Sequence, residues 1–145
     1  MKNVLVTGGC GFIASNFLNY MIRKYERLNF VNLDAMYYCA NEKNITKTNR
    51  NKKNYKFIKG TIQNKELVDF ILTENKIDTI IHFAAQSHVD NSFSNPIQYT
   101  KDNILGTHIL LESVREYGNI EKFIHVSTDE VYGESVCQET DIKNE

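Results

Sequence analysis

Residues 4–17, VLVTGGCGFIASNF, constrain the fold of this chain more than any other stretch. Val4, Leu5 and Val6 make a short apolar run ending at Thr7, the pattern of a buried strand. Gly8, Gly9, Cys10 and Gly11 form a turn, after which Phe12, Ile13, Phe17 and Met21 recur at roughly helical spacing. Strand, glycine turn and helix, in that order, are what a dinucleotide pyrophosphate needs. Gly8 permits the tight turn, Gly11 lets the backbone approach the phosphates, and Ala14 keeps the helix close to the strand. The helix N-terminus adds free N–H donors and the positive end of its dipole. A plain βα turn can also carry two glycines, but here the strand and the helix flank the glycines on the required sides.

The rest of the composition narrows the classes. A chain of 145 residues holds one domain with a single core, and 41% hydrophobic and 24% charged residues are ordinary globular values. The net charge of −1 gives no reason to expect a nucleic-acid partner. No apolar run approaches the ~20 residues of a membrane span, and no signal peptide is expected before the first strand, which starts almost at Met1. Cys10, Cys39 and Cys137 are odd in number and show no metal-ligand spacing, so no metal is expected and a reduced, cytoplasmic setting follows most simply.

Further along, Asn29 to Asp34 (NFVNLD) reads as a second strand ending in an acidic residue. At that distance from a glycine turn, a carboxylate accepts hydrogen bonds from the adenosine ribose and repels a 2′-phosphate, which favours NAD over NADP. A surface Asp that merely ends a strand is the bland alternative. Residues 35–54 read as a long polar loop with room for a helical turn, and its basic cluster Arg50, Lys52 and Lys53 as a solvated face. Tyr55 to Gly60 alternates as a third strand. Asn64 is positioned to cap a helix running to about Asn75, with Leu67, Val68, Ile71 and Leu72 as its buried stripe. Thr79 to Ala85 is a nearly continuous apolar run suited to a central parallel strand. A loop, QSHVDNSFSNP, is expected next. A helix over Tyr99 to Tyr117 follows, with Ile104, Leu105, Leu111 and Val114 apolar and Gly118 as its stop. Lys122 to Ser127 makes a fifth strand. Strands alternating with helices predict an α/β fold: a Rossmann-type, doubly wound parallel sheet of about five strands with right-handed crossovers.

Ligands of an open parallel sheet bind beyond the carboxyl ends of its strands. Those ends are the glycine turn, Asp34, Thr61 and Ile62, residues 86–90, and residues 128–130. Two adjacent carboxylates, Asp129 and Glu130, follow the fifth strand. In extended chain they point different ways, so one could give a proton while the other takes one; a solvated acidic turn is the alternative. His82 and His125 alternate inside apolar strands and are expected to be satisfied core histidines, and His88 sits alone in its loop.

Together, TGGCGFIASNF, AAQSHVDNSF, NILGTHILLE and STDEVYG resemble the extended short-chain dehydrogenase/reductase family. Within it the chain is similar to nucleotide-sugar 4,6-dehydratases of the dTDP-glucose or UDP-glucose type, over essentially all 145 residues but only the N-terminal part of such enzymes. The glycine motif is shared by epimerases and decarboxylases of the wider family. The Thr-Asp-Glu run is the specific part. The resemblance implies that Gly8, Gly11, Phe12 and Ile13 hold the NAD pyrophosphate, that Asp34 binds the ribose, and that Ile62, Ala84, Ala85 and Ser87 line the cofactor. It implies that Thr128 binds the hexose near C4, that Asp129 protonates the departing C6 hydroxyl, and that Glu130 removes the C5 proton. It also implies a homodimer for the full-length enzyme.

Four departures from that pattern stand out. Thr61 replaces an acidic residue, Asp102 stands where a small hydroxyl residue is usual, and Ala14 replaces the third glycine. The Tyr-x-x-x-Lys pair of these enzymes does not follow the fifth strand. It occurs only at Tyr20/Lys24 and Tyr55/Lys59, in the first helix and the third strand. The chain is therefore expected to be a cofactor half, residues 1–145 forming an NAD-binding domain without the C-terminal substrate lobe and inactive by itself. A 4-epimerase and a non-catalytic NAD-binding module are the alternatives.

Overall fold

The computed structural model describes residues 1–133, apart from the side chain of Glu130; Cys137 lies outside the described residues. Five parallel strands form one sheet: β1 (Asn3–Thr7), β2 (Asn29–Asp34), β3 (Tyr55–Lys59), β4 (Thr79–His82) and β5 (Lys122–His125), in the order β3-β2-β1-β4-β5. The chain thus starts in the middle of the sheet, walks out to one edge, then crosses back and builds the other half. The switch point lies between β1 and β4, and Val4 faces Phe30 on one side and Thr79 on the other. This is the expected Rossmann-type arrangement.

Period-two alternation explains why both faces are covered. Leu5, Val31, Leu33 and Ile80 point to one side and pack with Val68, Ile71 and Leu72 of helix α3 (Lys65–Glu74) and Leu110 of helix α6 (Gly106–Tyr117). Val4, Val6, Phe30 and Ile81 point to the other and pack with Ala14, Leu18 and Ile22 of helix α1 (Phe12–Lys24). Asn64 caps α3 by accepting from the Leu67 amide at 3.0 Å, and Gly118 ends α6 in the left-handed conformation, both as the sequence predicts.

Between β2 and β3 lie a 3-10 turn (Glu42–Asn44) and the short helix α2 (Lys47–Arg50). The stretch read as a loop after β4 is partly helical, with α4 at Val89–Ser94. Asp90 in its first turn complements the helix N-terminus. The long helix begins earlier than Tyr99. Pro96 opens α5 (Pro96–Tyr99), where a missing N–H costs nothing, and a π-helical stretch (Thr100–Leu105) joins it to α6. A π-turn closes a longer ring than an α-turn and so offsets the helical phase. Leu110 is buried as a result, while Ile104, Leu105 and Leu111 of the expected apolar stripe are exposed.

Candidate functional site

The turn after β1 is held from three sides. The Gly8 amide donates to the Leu33 carbonyl at 2.9 Å and the Gly11 amide to the Gly8 carbonyl at 3.1 Å. Gly8 has φ +72°, and a Cβ there would sit 2.7 Å from the Ala84 Cα, so only glycine lets β1 and the segment after β4 approach this closely. The carbonyl of Cys10 accepts from the Asn41 amide at 3.0 Å and from Asn44 Nδ2 at 2.9 Å, so the polar stretch after β2 wraps the glycine turn. Burial, reinforced by the Asp34 charge, pushes the Cys10 thiol up to about 11 and keeps it protonated.

Helix α1 opens at Gly11 with no side-chain cap and no acidic residue in its first turn. Its first N–H groups, at the positive end of the helix dipole, border a cavity of about 430 Å³ lined by Gly8, Gly11, Phe12 and Ile13. Asp34, from the end of β2, lines the same cavity. Its Oδ2 accepts from the Cys10 amide at 2.8 Å and its Oδ1 from the Met36 amide at 2.7 Å, which fixes the carboxylate while leaving each oxygen a lone pair. Ala84, Ala85, Gln86 and Ser87 form the opposite wall, and Ser127 and Thr128 reach it from beyond β5. Nine of the twelve residues singled out from the sequence, Thr128 among them, therefore border one space. Ile62 does not: it is 6% exposed and packs in the core against the backbone at Gly106. Asp129 is exposed in the 3-10 turn Asp129–Tyr132, just past the cavity wall. The side chain of Glu130 lies outside the described residues.

The segment after β4 is fixed by the π-stretch. Asn103 accepts from the Gln86 amide at 2.7 Å and donates to the Gln86 carbonyl at 2.9 Å. His82, 1% exposed, extends this brace. The Thr107 hydroxyl donates to the Asn103 carbonyl at 2.7 Å, so His82 Nε2–H donates to Thr107 Oγ1 at 3.0 Å and Nδ1 accepts from the Thr7 hydroxyl at 2.6 Å. With that tautomer fixed, burial and the neighbouring His125 push the His82 pKa down to about 4. His82 is the satisfied core histidine the sequence predicts. His125 is not: it is exposed, because among the described residues β5 is the sheet edge and pairs only with β4.

Sequence reasoning did not single out Tyr37, Cys39, Ala40 or Phe83, which also line the cavity. No local pattern marks them, since Tyr37 to Ala40 sit in an aperiodic loop. The Tyr20/Lys24 and Tyr55/Lys59 pairs border no part of the cavity. An uncapped helix start and a fixed carboxylate at the ends of adjacent strands fit a dinucleotide, with diphosphate at one and a ribose diol at the other.

A family model described as GDP-mannose 4,6 dehydratase matches residues 5–145. The chain is 52% identical over 134 residues to a trifunctional UDP-glucose 4,6-dehydratase, 3,5-epimerase and reductase of Arabidopsis thaliana, covering 92% of this chain and 20% of that protein. It is 48% identical over 140 residues to the dTDP-D-glucose 4,6-dehydratase of Homo sapiens, covering 97% of this chain and 39% of that one. The crystal structure of dTDP-glucose 4,6-dehydratase from Bacillus anthracis in complex with NAD superposes with a TM-score of 0.83 at 41% identity, over 95% of this chain and 41% of that one. The chain thus spans about a fifth to two fifths of the length of these relatives. On the match over residues 5–145, the chain belongs to the GDP-mannose 4,6 dehydratase family.

Proposed function

We propose that residues 1–145 are the NAD-binding domain of a nucleotide-sugar 4,6-dehydratase acting on dTDP- or UDP-glucose. The observation that carries this reading is the uncapped start of α1 and the fixed Asp34 carboxylate bordering one cavity that Thr128 also enters. Bound there, NAD would supply the hydride acceptor for oxidation at C4 of the hexose and the hydride donor for reduction at C6. The chain's own groups do the rest. The free amides of Phe12 and Ile13 would face the diphosphate beside the Gly8 and Gly11 backbone, Asp34 would accept from the ribose hydroxyls, and Ala84, Ala85 and Ser87 would shape the opposite wall. Ile62 supports that wall from behind, its buried side chain lying in the core cluster against which Ala84 packs. Thr128 binds the hexose near C4. Asp129 protonates the departing C6 hydroxyl and Glu130 takes the C5 proton, which is acidic once C4 is a ketone.

The exposed apolar residues Ile97, Ile104, Leu105 and Leu111 support a homodimer formed through the α5–α6 face. The free Cys10 and Cys39 thiols support a reduced, cytoplasmic setting. Among the described residues, no helix is long and apolar enough to cross a membrane. The test is to titrate the protein with NAD and to assay the whole enzyme with each sugar nucleotide. Tight NAD binding with a 4-keto-6-deoxy product supports the reading. A C4 epimer as the product would replace it.

A further inference from the structure

Asp102, on the π-stretch, is 7% exposed and lines the cavity, yet no Lys, Arg or His among the described residues forms an ion pair with it. Its partners are four neutral donors from four segments. Its Oδ1 accepts from the Tyr37 hydroxyl at 3.2 Å, from Gln98 Nε2 at 2.9 Å and from Gln63 Nε2, and its Oδ2 accepts from Gln86 Nε2 at 3.1 Å. Tyr37 follows β2, Gln63 follows β3 and Gln86 follows β4. Two donors of the cavity wall, Tyr37 and Gln86, are thus turned onto one carboxylate. The cavity wall holds Asp34 and Asp102 and no basic residue.

We propose that Asp102 is a second specificity-determining residue for the dinucleotide, excluding a 2′-phosphate together with Asp34 by its charge and by turning the cavity-wall donors of Tyr37 and Gln86 onto itself. The physical basis is twofold. A phosphate entering this end would meet two fixed negative charges at reduced dielectric. It would also meet Tyr37 and Gln86, the donors on this wall, already turned toward Asp102. Neutral amides and a phenol stabilise a buried carboxylate by hydrogen bonding without cancelling its charge. Tyr37 remains protonated and donating, because burial and the adjacent Asp102 charge raise its pKa above the ordinary tyrosine range.

The inference rests on the cavity binding NAD, and the experiment separates the two. Dissociation constants for NAD and NADP are measured on the full chain and on Asp102→Asn, Asp102→Thr and Gln98→Leu. In Asp102→Asn the geometry can persist, because Gln86 Oε1 has no partner and the amide can turn to accept from the new Asn. The NAD preference is expected to shrink about tenfold in Asp102→Asn, and this shift is expected to fade at high salt. Asp102→Thr shows the same change if the Asn variant is insoluble. Gln98→Leu removes a donor outside the cavity wall and keeps the charge, so it leaves the NAD/NADP ratio unchanged. A ratio that stays constant in both Asp102 variants, or NAD and NADP weakened equally in them, overturns the proposal while leaving NAD binding intact. An unmodified chain that binds neither cofactor overturns both readings.

Discussion

At the scale of single residues, charge and burial decide the outcomes. His82 is neutral in the folded protein down to about pH 4, whereas an unfolded histidine takes a proton near 6.5. Its folded pKa is depressed, so the unfolded chain binds more protons between those values. Stability is therefore full above pH 6.5 and falls as the pH drops toward 4, by roughly 3 kcal/mol when complete. Urea midpoints measured from pH 7 to 4.5 should fall steeply, and His82→Gln should flatten that slope. The Asp34 carboxylate gives a second prediction. Asp34→Asn should weaken NAD binding by about 1–3 kcal/mol, because the amide accepts fewer hydrogen bonds, and equilibrium titration reads it directly. Equal NAD affinity in the variant would remove Asp34 from the ribose. In the whole enzyme, Glu130→Gln should stop elimination after C4 oxidation. NADH absorbance then accumulates on adding sugar nucleotide, and solvent deuterium does not enter C5; turnover at the unaltered rate would show the base to be another group.

At the scale of elements, the β1–turn–α1 unit was readable from sequence because its apolar period, its glycines and its order are all local. Gly8→Ala tests its tightness. The left-handed backbone alone costs on the order of 1–3 kcal/mol, before the contact with the Ala84 backbone is relieved, so both the denaturation midpoint and NAD affinity should drop. The helix caps at Asn64 and Gly118 were equally local and equally legible. What was not legible is everything joined across the chain. The asparagines at 41 and 44 look like loop filler until they are seen gripping the Cys10 carbonyl. Asp102 collects donors from positions 37, 63, 86 and 98, a set that no window of sequence contains. The π-stretch escaped for a related reason: its composition is that of an ordinary helix, and only its packing against Gln86 sets it apart.

At the scale of the whole molecule, the start of α1 and Asp34 border one cavity beyond the carboxyl ends of the strands, while the Tyr/Lys pairs at 20/24 and 55/59 lie off that cavity. A polypeptide of residues 1–145 should accordingly bind NAD yet form no 4-keto product from dTDP- or UDP-glucose, and turnover near that of a complete enzyme would mean the relay is built from groups assigned here to structure. The strand order carries one more consequence, for the timing of folding on the ribosome. The central strand β1 finds its neighbour β2 soon after synthesis, but its other neighbour is 75 residues later at the Thr7–His82 pairing. At usual translation rates of about 5–20 residues per second, one flank of Val4, Leu5 and Val6 stays unpaired for roughly 4–15 s. A nascent chain stalled just before β4 emerges should therefore be captured by chaperones and cut by protease, and one stalled after β5 should resist both.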